Sequence, residues 1–301
     1  MKKPKNLNGK RIDFSLLVPD MKSYFTWHRR PRRLVDFKSI PSAFKHDDTA
    51  IILQGDLSSS REFAIETAKI YFQNFPGVQV VISTWQGTRK SDIEKLEELG
   101  CTVVLSAIPE SAGPSNRNLQ LVSSSTGLKA GSEKGAKYLL KTRIDQRIYS
   151  PHALSLMKGL LQKFPISGPD TNQSARLVTV SNNTFVNRIY GVSDFLMFGK
   201  AGDVLSYWGS MGKSGEPEEF SEVFYCRHFL EKTEWECKDT QKDWELVLRS
   251  RFIVVDGVSL DFFWNKYSSR EMLWRRYGQI PHLEEVTFGG WLELMSQGDR
   301  I

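Results

Sequence analysis

Cysteine is scarce in this chain of 301 residues, and it has no long apolar run. The three cysteines, Cys101, Cys226 and Cys237, form no CxxC pair, which argues against a disulfide framework or a zinc site and indicates a reducing compartment. No apolar run approaches the roughly 18 residues of a membrane-spanning helix, and the N-terminus lacks the apolar segment of a secretory signal peptide. We therefore expect a cytoplasmic protein that folds without disulfides.

Several motifs of nucleotide- and metal-dependent enzymes are also missing. The sequence contains no GxxxxGK[ST], no GxSxG, no HExxH and no protein-kinase motif set, and no GxGxxG follows the first predicted strand. The five histidines are scattered, at no standard spacing for metal ligands. These absences exclude P-loop enzymes, nucleophile-elbow hydrolases, zinc peptidases and protein kinases.

Positive charge is concentrated at the N-terminus, in a segment that we define as a basic arm over residues 1–48. Residues 1–45 contain twelve Lys and Arg but three acidic residues, whereas the remainder has a slight acidic excess. The densest basic cluster, at 28–33, lies beside three aromatic residues. Such a segment suits an anionic membrane surface, a phosphorylated ligand or nucleic acid. The alternative is a solvated arm packed on the domain.

From residue 49 onward, apolar runs alternate with amphipathic helical patterns. Strands are predicted over 49–55, 79–85, 101–106, 138–144, 176–181 and 192–198. Capping boxes at Ser59–Glu62 and Ser91–Glu94 open the first two helices, and later helices are predicted over 151–163, 200–209 and 220–232, with a mobile loop at 209–219. This alternation predicts an α/β fold with a mostly parallel central sheet, helices on both faces and a Rossmann-like N-terminal half.

Polar residues follow several predicted strands, at the edge where parallel sheets bind ligands. They include Gln54, Gly55, Asp56, Trp85, Asp145, Asn182, Asn183 and Asp194. Asp145 follows a central strand, where a carboxylate could hold a divalent cation that bridges two phosphates. The alternatives for Asp145 are a turn cap or an ion pair with Arg143 or Arg147.

Four basic residues flank two of these strand ends, namely Arg117, Lys141, Arg143 and Arg147. Arginine forks bind phosphate oxygens and can clamp a departing diphosphate, although ordinary surface charge would explain any one of these residues. Asp194 lies in an otherwise apolar predicted strand. A buried carboxylate of raised pKa could act there as a general base, and the alternative is a cap for the turn at Ser193.

Five motifs carry a resemblance to a known family. In chain order they are Ile52-Leu-Gln-Gly55, Ser83-Thr-Trp85, Gly113-Pro-x-Asn-x-Asn118, Lys141-Thr-Arg-x-Asp-Gln-Arg-Ile-Tyr149 and Ser193-Asp-x-x-x-Phe-Gly199. Over about residues 49–210 they resemble the WavE family of bacterial lipopolysaccharide-synthesis proteins, and the KTRxDQRIY string is the most specific element. The resemblance implies a GT-A-type glycosyltransferase of the cell envelope that uses a nucleotide sugar, for which we expect a UDP-linked donor.

The resemblance also implies a division of labour along the chain. Residues 49–301 would form one domain, with a nucleotide-sugar-binding half at 49–150 and an acceptor half at 151–301. The donor would be bound by Gln54, Gly55, Asp56, Trp85, Asn116, Arg117, Asn118, Lys141, Arg143 and Arg147. An acid near the acceptor would remove the proton of its hydroxyl group. Asp194 is the first choice for that base, and Glu222, just after the Gly/Pro-rich loop, is the second.

In enzymes of GT-A type, a DxD motif after the fourth strand usually holds Mn²⁺ or Mg²⁺ against the donor diphosphate. This sequence has Arg143-Ile144-Asp145 there and keeps only the second carboxylate. Either Asp145 binds the metal with help from elsewhere, or Arg143 and its neighbours replace part of the metal's charge.

The implied acceptor is a lipid-linked or lipopolysaccharide glycan, and the basic arm would attach the protein peripherally to anionic lipid at the inner membrane. Two other classes stay open. A nucleotidyltransferase would need two or more carboxylates around its metals. A non-catalytic saccharide- or nucleic-acid-binding protein could share the fold, with nucleic acid the less expected partner.

Overall fold

The computed structural model describes residues 30–37, 39–166, 172–209, 219–266 and 284–297. The strands in these ranges are β1 (Thr49–Gln54), β2 (Gln79–Trp85), β3 (Thr102–Ser106), β4 (Tyr138–Arg143), β5 (Gln146–Ile148), β6 (Leu177–Val180), β7 (Met197–Lys200), β8 (Phe252–Val255) and β9 (Phe262–Trp264). The helices are α1 (Leu57–Asn74), α2 (Lys90–Glu98), α3 (Arg117–Glu133), α4 (Ala153–Lys163), α5 (Ala201–Trp208), α6 (Ser221–Lys232), α7 (Gln241–Arg251) and α8 (Phe288–Ser296).

Seven of these strands form one sheet, in the order β3-β2-β1-β4-β7-β6-β8, and β5 pairs with β9 in a small second sheet. Within the large sheet, β7 runs antiparallel to β4 and to β6, whereas the other neighbours are parallel. The prediction of an α/β fold around a mostly parallel central sheet is confirmed.

The order of the strands explains why helices cover both faces of the sheet. The chain steps from β1 through β2 to β3 in one direction and then returns past them to β4. Because strand–helix–strand crossovers are right-handed, this reversal puts α1 and α2 on one face and α3 on the other. Consistent with that placement, α1 packs against α2, and α3 packs against α5.

Two glycines let α3 pack closely against the sheet. A Cβ atom at Gly127 would lie 2.6 Å from Ile52 Cγ2 and 2.7 Å from Ser83 Cβ, and one at Gly131 would lie 2.9 Å from Ala50 Cβ. Real Cβ atoms do not approach neighbours so closely, so these positions require glycine for the observed packing. Every residue of β1, one of the strands beneath α3, is buried.

One edge of the sheet collects the chain segments that position the site. The parallel strands β1, β4, β6 and β8 all end at this edge, and the antiparallel β7 begins there, with Lys141 of β4 beside Met197 of β7. The helix α3 follows β3, so its first turn also lies at this edge. Polar residues from distant parts of the sequence therefore meet there.

The starts of three helices differ from the prediction. Asp56, not Ser59, is the N-cap of α1, and its carboxylate accepts a hydrogen bond from the backbone N–H of Ser58. The Asp side chain captures the first free N–H groups and starts the helix earlier. The helix α2 begins at Lys90, without a side-chain cap, and α4 begins after His152. The predicted loop at 209–219 lies outside the described residues from 210 to 218.

The predicted strand at 192–198 is wrong for residues 192–196, because β7 comprises only Met197–Lys200. The backbone before it bonds to side chains instead of a neighbouring strand: Ser193 N donates to Thr184 Oγ1 at 3.1 Å, and Thr179 Oγ1 donates to the carbonyls of Ser193 and Leu196 at 3.2 Å. Asp194 therefore lies in a loop, not in a strand.

The last part of the basic arm packs on α1. Leu34 N donates to Glu66 Oε2 at 2.7 Å, and Ser42 N donates to the carbonyl of Asn74 at 3.0 Å. A compact unit spans Arg32–Ile301 and so begins within the arm, whereas residues 1–29 and Lys38 lie outside the described residues. None of the helices described here combines the length and apolar character needed to cross a membrane.

Candidate active site

Arg143 and Asp145 form a two-point ion pair at the end of β4. Arg143 Nε donates to Asp145 Oδ1 at 3.0 Å, and its Nη2 donates to Oδ2 at 3.1 Å. The guanidinium also lies 5.1 Å from the centre of the Trp264 ring of β9. Asp145 therefore lies at the end of a central strand, engaged in one of the two ion pairs considered from the sequence.

The ion pair with Arg143 determines whether the Asp145 carboxylate is available to bind a cation. Burial tends to raise the pKa of Asp145, but the hydrogen bonds and positive charge of Arg143 outweigh it, so the pKa is lowered. Both carboxylate oxygens already accept hydrogen bonds from Arg143. Across the described residues, no group of three or more His, Cys, Asp or Glu side chains could hold a metal ion. The residues present do not fit the Mn²⁺ or Mg²⁺ that the resemblance implies.

Lys141 lies fully buried on β4, two residues before Arg143. Its Nζ donates to the backbone carbonyl of Asp194 at 2.5 Å and lies 4.0 Å from the centre of the Trp208 ring. Burial lowers the pKa of Lys141 to about 7, although nearby carboxylates oppose the shift. A side chain with this pKa changes its charge near neutral pH and holds the loop that carries Asp194.

Asp194 and Glu222 form a pair of acids that influence each other. Gln120 Nε2 of α3 donates to Asp194 Oδ2 at 2.8 Å, and Asn183 Nδ2 donates to Glu222 Oε1 at 2.5 Å. Burial and the carboxylate of Asp194 raise the pKa of Glu222, while Arg188, whose Nη1 lies 4.0 Å from Glu222 Oε1, opposes the rise. The structure thus brings together the two candidates for the base.

Arg117 opens α3 and is nearly completely buried, with 3% of its surface exposed. Its guanidinium carbon lies 3.8 Å from the centre of the Phe224 ring of α6. Tyr225, the next residue of α6, donates from its Oη to the Arg117 carbonyl at 3.3 Å and to Gln120 Oε1 at 3.4 Å. Through Gln120, Arg117 is connected to Asp194.

Gln54 and Gly55 lie beside the Arg143–Asp145 pair. Ile144 N donates to the Gln54 carbonyl at 3.0 Å, and a Cβ atom at Gly55 would lie 3.3 Å from Ile144 Cγ2. Gly55 also has a φ of 134°, which favours glycine. The side chain of Gln54 is buried and accepts a hydrogen bond from Ser123 Oγ at 2.7 Å.

The other predicted donor contacts from loops have local hydrogen bonds or lie at the surface. Both Asp56 oxygens accept from Ser58, so this exposed carboxylate caps α1. Asn118 Nδ2 donates to the Ser111 carbonyl at 3.2 Å. Asn116 is exposed and has a left-handed φ of 63°, and Trp85 is half-buried at the end of β2.

Arg147 lies apart from this arrangement. It is fully buried, and its guanidinium donates to Thr67 Oγ1 at 2.8 Å and, at 3.0 Å each, to the Phe63 carbonyl, the Arg32 carbonyl and Tyr149 Oη. These bonds tie β5 to α1 and to the start of the compact unit. The structure gives Arg147 a packing role and does not bring it to the acids.

Four side chains of the site are missed by the sequence reasoning, namely Gln120, Arg188, Trp208 and Tyr225. Three of them lie on helices and one on a loop, away from the strand ends where the sequence predicts polar residues of the site. Asn183 was detected by that criterion because it closely follows β6. The spacing of Gln120, about one helical turn after Arg117, could have predicted that both side chains lie on the same face of α3.

The fold is an α/β fold, and charged and polar side chains from distant parts of the sequence meet at the carboxyl edge of its sheet. The family model for WavE lipopolysaccharide synthesis matches residues 50–217, more than half of the chain. The chain therefore belongs to the WavE lipopolysaccharide synthesis family, which confirms the resemblance seen in the motifs. No curated protein matches it. Among solved structures it is similar to the apo form of mouse xyloside xylosyltransferase 1, at 8% identity and a TM-score of 0.35, covering 69% of this chain and 84% of that chain.

Proposed function

We propose that this protein is a glycosyltransferase that moves a sugar from a nucleotide sugar to a glycan acceptor in lipopolysaccharide synthesis. The proposal is carried by the acids Asp194 and Glu222 and the buried Lys141, whose Nζ donates to the Asp194 carbonyl, at the edge of the sheet where α/β folds bind ligands. Ionisable groups with perturbed pKa values concentrate at functional sites. Membership of a lipopolysaccharide-synthesis family supports the substrate class.

In this proposal the donor lies along the ends of β1 and β4. Gln54 and Gly55 border the nucleoside, for which uridine is the expected base, and Arg143 binds the diphosphate. The planar fork of arginine matches phosphate oxygens as well as it matches a carboxylate. The diphosphate would take the place of Asp145 as the partner of Arg143. The positive charge of Arg143 would thereby neutralise the diphosphate, a role that the resemblance assigns to a metal ion.

The transfer step would use Asp194 as the base. The oxygen of the acceptor hydroxyl forms a bond to the anomeric carbon, and its proton passes to the Asp194 carboxylate. The bond from the anomeric carbon to the diphosphate breaks, and its electron pair leaves with the nucleoside diphosphate. Gln120 holds Asp194 in place. Glu222, whose pKa is raised, is the second candidate for the base.

The proposed acceptor is a lipid-linked or lipopolysaccharide glycan at the inner membrane. The basic arm would bind the anionic lipid surface, since clustered Lys and Arg side chains are attracted to it. The experiment is vesicle sedimentation of the full chain and of a variant that lacks residues 1–29, which keeps the residues packed on α1. Weaker sedimentation of the shortened chain with anionic vesicles is expected, because seven of the twelve basic residues are removed. Unchanged binding would contradict a role for residues 1–29.

The first experiment is a thermal-shift panel of nucleoside diphosphates and nucleotide sugars, each with Mn²⁺, Mg²⁺ or EDTA. A ligand at 100 times its Kd adds about 2.7 kcal/mol to the free energy of unfolding, which raises the melting temperature visibly. We expect one nucleotide family to stabilise the protein, with or without EDTA. If no nucleotide stabilises the folded protein, the proposal fails and a saccharide-binding protein becomes the better interpretation.

Two variants separate the arginine site from a metal site. Arg143→Lys keeps a positive charge but loses the fork, and it should weaken nucleotide binding. Asp145→Asn removes the charge that competes for Arg143, and it should leave binding intact or strengthen it. Arg89→Lys, at an exposed position before α2, is the matched control. Loss of binding in Asp145→Asn or on addition of EDTA would instead support a metal at Asp145.

A further inference from the structure

Arg117 is a buried cation that has no counter-ion among the described residues. Its Nε and Nη1 atoms are buried and find no hydrogen-bond acceptor among the described residues. The ring of Phe224 covers one face of the guanidinium but offers no hydrogen-bond acceptor comparable to a carboxylate. Removing an unpaired charge from water is strongly unfavourable, so such a group is expected to have an anionic partner.

The other cations of the site are accounted for within the protein. Arg143 pairs with Asp145, Arg188 lies 4.0 Å from Glu222, and Lys141 donates to the Asp194 carbonyl. In the part of the chain that the structure describes, Arg117 forms no salt bridge. The missing anion therefore has to come from outside the described residues, and a ligand is the natural source at a site of this kind.

The position of Arg117 indicates which part of a ligand would reach it. Its carbonyl and Gln120 share the hydroxyl of Tyr225, and Gln120 donates to the carboxylate of Asp194. Trp208 packs on Tyr225 with ring centres 4.9 Å apart, and its Nε1 is another buried donor without an acceptor among the described residues. Arg117 thus lies on the side of the proposed base, where the reacting sugar would be, and the diphosphate is assigned to Arg143.

We propose that Arg117 binds a carboxylate on the transferred sugar, so that the donor is a nucleotide-linked uronic acid. This inference rests on the proposed function. The positive N-terminal end of α3 adds to the attraction for an anion. An acidic sugar would otherwise be repelled by Asp194 and Glu222, and Arg117 offsets that repulsion. A site with a buried donor group discriminates strongly against a ligand that leaves the donor unpaired.

The test compares nucleotide sugars that differ only in a carboxylate. Calorimetry compares three pairs of ligands: UDP-glucose with UDP-glucuronate, UDP-galactose with UDP-galacturonate, and GDP-mannose with GDP-mannuronate. Each ligand is titrated into the full chain and into the variants Arg117→Met and Arg117→Lys. Arg89→Met is the control variant. In one pair the wild type should bind the acidic sugar about tenfold to hundredfold more tightly. Arg117→Met should lose that preference, with unchanged affinity for the neutral sugar, and Arg117→Lys should retain part of it.

Each alternative outcome is distinguishable. Equal weakening of free UDP, neutral and acidic sugars in Arg117→Met would mean that Arg117 binds the diphosphate, and the inference would fail. Binding of neutral and acidic sugars with equal affinity would overturn the inference while the proposed function stands. Binding of no nucleotide sugar would overturn the proposed function itself. The preference of the wild type does not depend on the variants, so a variant that fails to fold leaves the test intact.

Discussion

The region around Arg147 and the region around Asp194 are built from similar residues, but their polar groups are used differently. Arg147 is buried and donates to carbonyl and hydroxyl oxygens of neighbouring elements. Near Asp194, burial and a like charge raise the pKa of Glu222, and Arg117 has nitrogen atoms without acceptors among the described residues. The guanidinium of Arg147 thus has its acceptors within the protein, whereas that of Arg117 lacks them among the described residues, as the proposed ligand site requires.

This difference teaches how to separate packing arginines from binding arginines in one motif. Arg143 and Arg147 both belong to the KTRxDQRIY string, and the sequence suggested the same role for both. The structure distinguishes them by their partners, since Arg143 faces a carboxylate that a phosphate can replace and Arg147 faces backbone carbonyls that it cannot leave without cost. Four variants test the wider contrast between the region around Arg147 and the region around Asp194.

The largest expected effect is that of Asp194→Asn on catalysis. Loss of a general base lowers kcat by about 10²- to 10⁴-fold, while the amide can still hold the loop, so donor affinity should be unchanged. The measurement is sugar transfer with the donor identified by titration, together with its Kd. Glu222→Gln is the companion variant. Retained turnover in Asp194→Asn with lost turnover in Glu222→Gln would exchange the roles of the two acids.

The second effect is on stability. Arg147→Met removes the donor from several buried oxygen atoms at once, and we expect the free energy of unfolding to fall by about 3 kcal/mol or more. Urea unfolding measures this value, and the exposed Arg89→Met should change it by less than about 0.5 kcal/mol. A small loss of unfolding free energy in Arg147→Met would contradict the packing role of Arg147 and with it the contrast between the two regions.

The third prediction concerns pH. The folded Lys141 loses its proton near pH 7, whereas in the unfolded chain it keeps the proton to higher pH. Between those values the unfolded state binds more protons, so raising the pH stabilises the folded state, by at most about 1.4 kcal/mol per pH unit. Urea unfolding from pH 7 to 9.5 should show this gain relative to Lys141→Met, in which it is absent.

Lys137→Met, at an exposed position just before β4, controls for the general effect of losing a lysine. It should leave the pH dependence of the wild type unchanged. A constant difference in stability between the wild type and Lys141→Met across this pH range would show that Lys141 keeps its proton, and that a carboxylate neutralises it.

The smallest effect is expected for the stability of Arg117→Met. The methionine keeps contact with Phe224 and removes a buried charge without a counter-ion, so the free energy of unfolding should stay the same or rise by about 1 kcal/mol. The same urea experiment checks it beside Arg147→Met. A loss as large as that of Arg147→Met would show that Arg117 is a packing residue.

Local sequence signals were sufficient for much of the fold. The apolar runs from 49 to 144 predicted β1 to β4 closely, because parallel strands buried on both faces need continuous apolar stretches. The short β5 escaped prediction because its partner β9 lies more than 100 residues further along the chain. Because β5 pairs with β9, Arg147 is directed towards α1. The residues around Arg147 in the sequence give no signal of this placement.

The sequence predicts those site residues that directly follow a strand. It does not predict those that are brought to the site by packing between elements distant in sequence. Asp145 was placed correctly at the end of β4. Asp194 and Glu222 were selected by separate local arguments, and their electrostatic coupling arises only because the loop before β7 meets the start of α6. Gln120 and Tyr225 connect these parts across α3 and α6, which lie far apart in the sequence.

The two glycines of α3 give the site a mechanical property. Gly127 lies ten residues after Arg117, about 15 Å along the helix axis, and no chemistry occurs there. A methyl group added at Gly127 or Gly131 would clash with the sheet and force α3 away from it. Because the helix is rigid, we expect Arg117 and Gln120 to be displaced together. The absence of side chains at these two positions thus sets how closely Arg117 and Gln120 approach the edge of the sheet.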